Sequence, residues 1–166
     1  MSGYSLAHLN IARMRAPLDS PSMAGFTAQL DSINGLADVS PGFIWRLKDE
    51  DPNDPGVRAL GEGMLINLSV WRDAPSLAEF VYRSAHAGVM RRRREWFTQI
   101  AEPYVVLWWV AAGNVPSIAE AARRLGLLRA QGASAEAFST AAQNAKAGCP
   151  VSKVLNAKIT MDAKLG

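Results

Sequence analysis

Only one cysteine and two histidines occur among 166 residues. A single thiol, Cys149, excludes an internal disulfide framework and fits a reducing compartment. The histidines, His8 and His86, lie far apart in sequence and outside any metal-ligand spacing, so no metal site is expected. No stretch approaches the roughly 20 apolar residues of a membrane span. The start, MSGYSLAHLNIARMRAP, has no apolar run of signal-peptide length. The expectation is a cytoplasmic protein without membrane contact. Charge of one sign is also scarce. The formal net charge is +3, with acidic residues interspersed among basic ones, which gives nucleic-acid binding no support. There is no phosphate loop, no CxxC, no HExxH and no GxSxG.

What is present suits one domain of ordinary size. About half of the residues are hydrophobic, enough to bury a core without covalent staples. Residues 5–13, SLAHLNIAR, alternate as a strand, with Ala7, Leu9 and Ile11 on one face and Leu6, His8 and Asn10 on the other. A helix is predicted from about Pro21 to Ala37, capped by Asp19 or Ser20. SPGFIWRL reads as a turn and a short strand. KDEDPNDPGVRALGEG, rich in Pro, Gly and Asp, reads as an exposed loop. In the strand GMLINLSVW, Met64, Ile66, Leu68 and Val70 share one face, and Leu65, Asn67, Ser69 and Trp71 the other. DAPSLAEFVYRSAH predicts a helix capped by Asp73 or Ser76. YVVLWWVAAG, apolar on both faces, predicts a central, twice-covered strand. SIAEAARRLGLLRA predicts a last helix closing at Gln131-Gly132.

This order predicts an α+β fold of the ferredoxin-like split βαβ kind. Helices cover one face of such a sheet. The other, taken to carry Leu65 and Trp71, is too apolar to stay wet. A homodimer closing that face, a dimeric α+β barrel, is the expectation.

LAHLNIARMRAPLDSP, SPGFIWRL, INLSVW, FVYRSAHAGVMRRRREWF and EPYVVLWWVAAGNVPSIAEA together resemble the uncharacterised bacterial domain-of-unknown-function family 3291, over about residues 4–138. That family is grouped with the dimeric α+β barrels, which include the antibiotic-biosynthesis monooxygenases. The resemblance implies the same fold. Through distant kinship it implies oxidation of aromatics without metal or flavin, or haem binding. Haem-degrading relatives use a histidine on the second helix. His86 lies there, but in a different motif, so no cofactor is expected and haem is kept only as an alternative.

The run SAHAGVMRRRREWF, residues 84–97, divides by geometry. Successive helix residues turn by ~100°, so four adjacent arginines cannot share one face. The apolar stripe also changes sides, which Gly88 explains either by breaking the helix or by marking where a long helix buries a new side. Arg93 shares a face with Val89, Trp96 and Phe97. Arg91, Arg92 and Arg94 point elsewhere and are expected to be solvated or paired with acids. His86 precedes Arg93 by seven residues and shares its face if the helix is continuous. His86 is a candidate acid or base, and Arg93 a candidate anion contact. The plainer alternatives are a hydrogen-bonded histidine at a helix break and an ion-paired arginine packed on Trp96. His8, Asn10 and Asn67, polar in mid-strand, are candidate ligand contacts or parts of a polar network across the dimer interface. Trp71 and Trp96 offer aromatic surface, or serve the core.

Residues 139–166 read differently, as a helix, a Gly-Cys-Pro turn and a strand. AAQNAKAGCPVSKVLNAKITMDAKL resembles the end of the osmotically inducible protein C and organic hydroperoxide resistance family. There the matching cysteine is the second of a peroxidase pair. The first is missing here, so a dithiol cycle is not carried over, and Cys149 is left as a candidate redox residue. The expected organisation is a barrel domain over 1–138 and an appended tail over 139–166. Three functions follow: a cofactor-independent monooxygenase-like or isomerase-like enzyme on an apolar carbonyl or aromatic compound, a non-catalytic binder of a small hydrophobic ligand or haem, or a thiol-dependent stress protein.

Overall fold

The computed structural model describes residues 3–138. Cys149 and the tail over 139–166 lie outside the described residues. Five strands, β1 (Tyr4–Met14), β2 (Phe43–Arg46), β3 (Met64–Trp71), β4 (Phe97–Thr98) and β5 (Val105–Ala111), form one sheet in which every pairing is antiparallel. The helices are α1 (Ala24–Asp38), entered through a 3-10 turn at Pro21–Met23, then α2 (Pro55–Leu60), α3 (Ala74–Arg83), α4 (His86–Arg92) and α5 (Ile118–Gln131). None of the described helices is long and apolar enough to cross a membrane.

The long strand β1 is central. It pairs with β3 on one side. On the other it pairs with β5 over Tyr4–Asn10 and with β4 at Arg13–Met14. β2 borders β3. The strand expected at the centre, β5, therefore lies beside β1, and among the described residues only the isolated bridge Leu107–Phe138 lies beyond it. Its two-sided apolarity has another cause: Val106, Trp108 and Val110 pack under α5, and Leu107 packs with Leu6 and Leu77 on the other face, where Trp109 stays exposed.

Strand alternation directs the two faces as the sequence predicts. Ala7, Leu9 and Ile11 join Ile66, Leu68, Val70, Val106 and Trp108 under α5 and α2. Leu6 and Trp71 pack beneath α3, against Leu77, Phe80 and Val81. Leu65 and Ala12 pack with Phe26 of α1, Val89 of α4 and Trp96. The face carrying Leu65 and Trp71, expected to be bare, is thus roofed by helices of the same chain, and Trp71 is 1% exposed. A second copy is not required to bury it.

The segment read as a loop contains α2. Asp54 accepts from the Gly56 amide and Pro55 stands at the first helical position, start signals that the surrounding Pro, Gly and Asp obscured. Gly56 is required there by packing. A Cβ would lie 2.6 Å from the Ile118 carbonyl carbon and would strike the Ala119 nitrogen of α5. Of the two proposed caps on α3, Asp73 is the one used, accepting from the Ser76 amide at 2.8 Å.

Candidate functional site

The middle of the helix-covered sheet face is polar. Across β1 and β3, Leu6 faces Trp71, His8 faces Ser69, Asn10 faces Asn67 and Ala12 faces Leu65. The two outer rows are apolar, and each seats a helix cluster. The two inner rows are not, and no side chain of the described residues fills the space above them. A cavity of about 290 Å³ opens there, bounded by α1, α3 and α4. A cavity of roughly 150 Å³ holds benzene, so this one accommodates an aromatic ring with several further atoms.

His8, Asn10, Asn67, Trp71, His86 and Arg93 all line this cavity. Trp96 does not. It is buried beside Phe26, at 5.6 Å between ring centroids, and beneath Gly25. No side-chain hydrogen bond joins Asn10 or Asn67 to another described residue; both line the cavity, and Asn67 is exposed.

His86 is positioned by a helix break. The break falls at Ser84, whose backbone is extended, and not at Gly88, which lies inside α4. The Ser84 hydroxyl donates to the Phe80 carbonyl, closing α3, and accepts from the His86 amide at 3.1 Å, opening α4. Serine competes with helix hydrogen bonding in this way. His86 Nδ1 lies 3.3 Å from the Val81 carbonyl, and the ring sits against Phe80 at 4.9 Å. Phe80 in turn stacks on Trp71 at 5.2 Å. Burial lowers the pKa of His86, partly offset by the Val81 carbonyl.

His8 lies deeper, with Nδ1 3.3 Å from Ser69 Oγ. Ser69 Oγ also accepts from Trp71 Nε1 at 3.0 Å. Burial pushes the His8 pKa down to about 4, and charge on His86 adds to the effect. Both rings are therefore neutral at pH 7.

Arg93 is half-buried, whereas Arg91, Arg92 and Arg94 are exposed. Arg92 pairs with Glu95 at 2.8 Å. Arg93 donates to the Tyr104 hydroxyl at 3.1 Å and lies over its ring. No carboxylate pairs with Arg93 among the described residues. Tyr104, also on the cavity wall, escaped the sequence reading. It precedes β5 on a separate element, and no periodicity links it to α4. Among the described residues, no group of three or more His, Cys, Asp or Glu is placed to hold a metal ion.

The family model described as "Domain of unknown function (DUF3291)" matches residues 5–152. The chain belongs to this family. A crystal structure of the NE2512 protein of unknown function from Nitrosomonas europaea is similar at 14% identity, with a TM-score of 0.47. That likeness covers 70% of this chain and 99% of the other. No curated protein matches the chain. Membership of DUF3291 brings no activity with it, and the cavity is read from its own chemistry.

Proposed function

We propose that this DUF3291 chain is a small proton-transferring enzyme of isomerase-like type, acting on an apolar carbonyl compound held in the cavity. The observation that carries the reading is that a neutral histidine and an arginine line one mostly apolar space, with no acidic partner for the arginine and none for the second ring nitrogen among the described residues. His86 takes a proton from the carbon next to the carbonyl. The electron pair moves to the carbonyl oxygen, where the Arg93 guanidinium meets the developing negative charge. Return of a proton to the other face of that same carbon regenerates the ketone with its stereocentre inverted, which completes an isomerisation. Capture of the same carbanion by dioxygen would complete an oxygenation, so both expected reactions share this first step.

The strand order β2-β3-β1-β5, with its strand-helix-strand-strand-helix-strand sequence, supports a ferredoxin-like split βαβ unit elaborated by α2 and α5. A homodimer has no part in this proposal, because the groups it uses, His86 and Arg93, line the cavity of a single chain. Nor does haem: four pyrrole rings need more room than a space about twice that of a benzene-sized cavity.

The test is proton exchange in heavy water. Wild-type protein should catalyse deuterium incorporation beside the carbonyl of aryl alkyl ketones, followed by proton NMR. His86→Gln and Arg93→Met should each abolish most of that rate. Ketones that bind with no exchange above buffer would reject the enzyme and leave a ligand-holding module.

A further inference from the structure

Each cavity histidine has one ring nitrogen tied to the protein. The Trp71 Nε1–H group can only donate, and it donates to Ser69 Oγ. That uses one of the two Ser69 lone pairs, so towards His8 Nδ1, at 3.3 Å, the hydroxyl either donates its proton or accepts a second hydrogen bond. With Ser69 as the donor, His8 Nδ1 accepts and the ring carries its proton on Nε2, the form that points a donor into the cavity. The Val81 carbonyl can only accept, and it lies 3.3 Å from His86 Nδ1. His86 therefore keeps its proton on Nδ1 and presents Nε2 as a bare lone pair. With Ser69 donating, one ring offers the cavity a donor and the other an acceptor.

We infer that the sheet side of the cavity reads a second oxygen on the ligand, through His8 Nε2–H with Asn10 and Asn67 beside it, and that the ligand class is the α-hydroxy ketones. This rests on the reading of the cavity as the working site. There, Arg93 meets the carbonyl oxygen and His86 the carbon-bound proton. That leaves His8 and two asparagine amides, none of which the proton transfer uses. They form adjacent rows of one strand face and have no charge to neutralise. Their chemistry suits an uncharged oxygen that both accepts and donates, which is a hydroxyl. A site built around a hydroxyl discriminates against the analogue lacking it, because its own polar groups are then unmet.

Two measurements test this. The chain has only two histidines, so long-range proton–nitrogen NMR at pH 7 resolves two imidazoles, assigned with His8→Gln. His8 should show the Nε2–H form and His86 the Nδ1–H form. In titrations, α-hydroxyacetophenone should bind about tenfold tighter than propiophenone, which puts a methyl where the hydroxyl stands. Ser69→Ala should shrink that margin by freeing the His8 tautomer, and Ser69→Thr should keep it. His8 found as Nδ1–H, or equal affinity for the two ketones, overturns the inference. The two readings fail separately: selectivity without deuterium exchange rejects only the enzyme, and exchange without selectivity rejects only the second-oxygen site.

Discussion

The Arg93 guanidinium lies over the Tyr104 ring, 5.0 Å from its centroid, while its Nη1 donates to the Tyr104 hydroxyl at 3.1 Å. One tyrosine thus holds the arginine by face and by edge without neutralising it. Charge left uncompensated inside an apolar space is costly, and a ligand anion or enolate oxygen removes that cost. Arg93→Met should lower the exchange rate about a hundredfold and destabilise the fold by no more than about 2 kcal/mol, for one hydrogen bond and one cation–π contact. Tyr104→Phe keeps the ring and should lose less than about tenfold in rate. Exchange kinetics and urea unfolding check both. A stability loss above about 3 kcal/mol in Arg93→Met, with the rate intact, would make the arginine structural.

Ser84 carries the turn that aims His86. Its hydroxyl satisfies the end of α3 and the start of α4 at once. Ser84→Ala should cost about 1 kcal/mol of stability, the size of a lost cap, and should broaden the His86 ring signals by loosening the junction. Ser84→Thr keeps the hydroxyl and should behave like wild type. Sharp, unmoved His86 signals in the alanine variant would show that the break does not depend on this side chain.

Much of this architecture was legible in the sequence because two periodicities are strong. Alternation in β1 and β3 assigns Leu6, His8, Asn10, Asn67 and Trp71 to one face. Helix geometry separates Arg93 from its three exposed neighbours. What escaped depends on contacts between elements. Two-sided apolarity in β5 reads as centrality, although an edge position covered by α5 and α3 gives the same pattern. Gly88 reads either as a helix break or as the point where a long helix changes its buried side, while the break itself falls four residues earlier, at Ser84. Trp96 follows the face of Arg93 by spacing, but the 3-10 turn at Arg93–Glu95 rotates it into the core under α1. Tyr104 reaches Arg93 only through the fold.

The crossing of α2 and α5 gives a test independent of function. Gly56→Ala places a Cβ 2.6 Å from the Ile118 carbonyl carbon, a contact with backbone that cannot rotate away. Forcing the helices apart should cost about 1–3 kcal/mol, read as a lower urea midpoint. Ketone binding should persist where the fold persists, since α2 lies across the sheet from the cavity. A variant as stable as wild type would mean that α2 packs less closely than this.

Stability should also depend on pH through His8. Its pKa is about 4 in the folded chain, against roughly 6.5 for an unperturbed histidine. Between these values the unfolded state binds more protons, so stability rises with pH through the window and falls as the solution is acidified. The contribution is fully present above pH ~6.5 and is reduced by about 2 kcal/mol at pH 5. His86, also lowered by burial, acts in the same direction. Asp38 and Asp73 are held below the usual carboxylate range by hydrogen bonds, from Arg46 and from Ser76 first, so their loss comes at lower pH. Urea midpoints at pH 7 and pH 5 should therefore separate clearly for the wild type and much less for His8→Gln. Equal separations in both proteins would mean that His8 is not buried as a neutral ring, and its role as a donor to the cavity would fall with it.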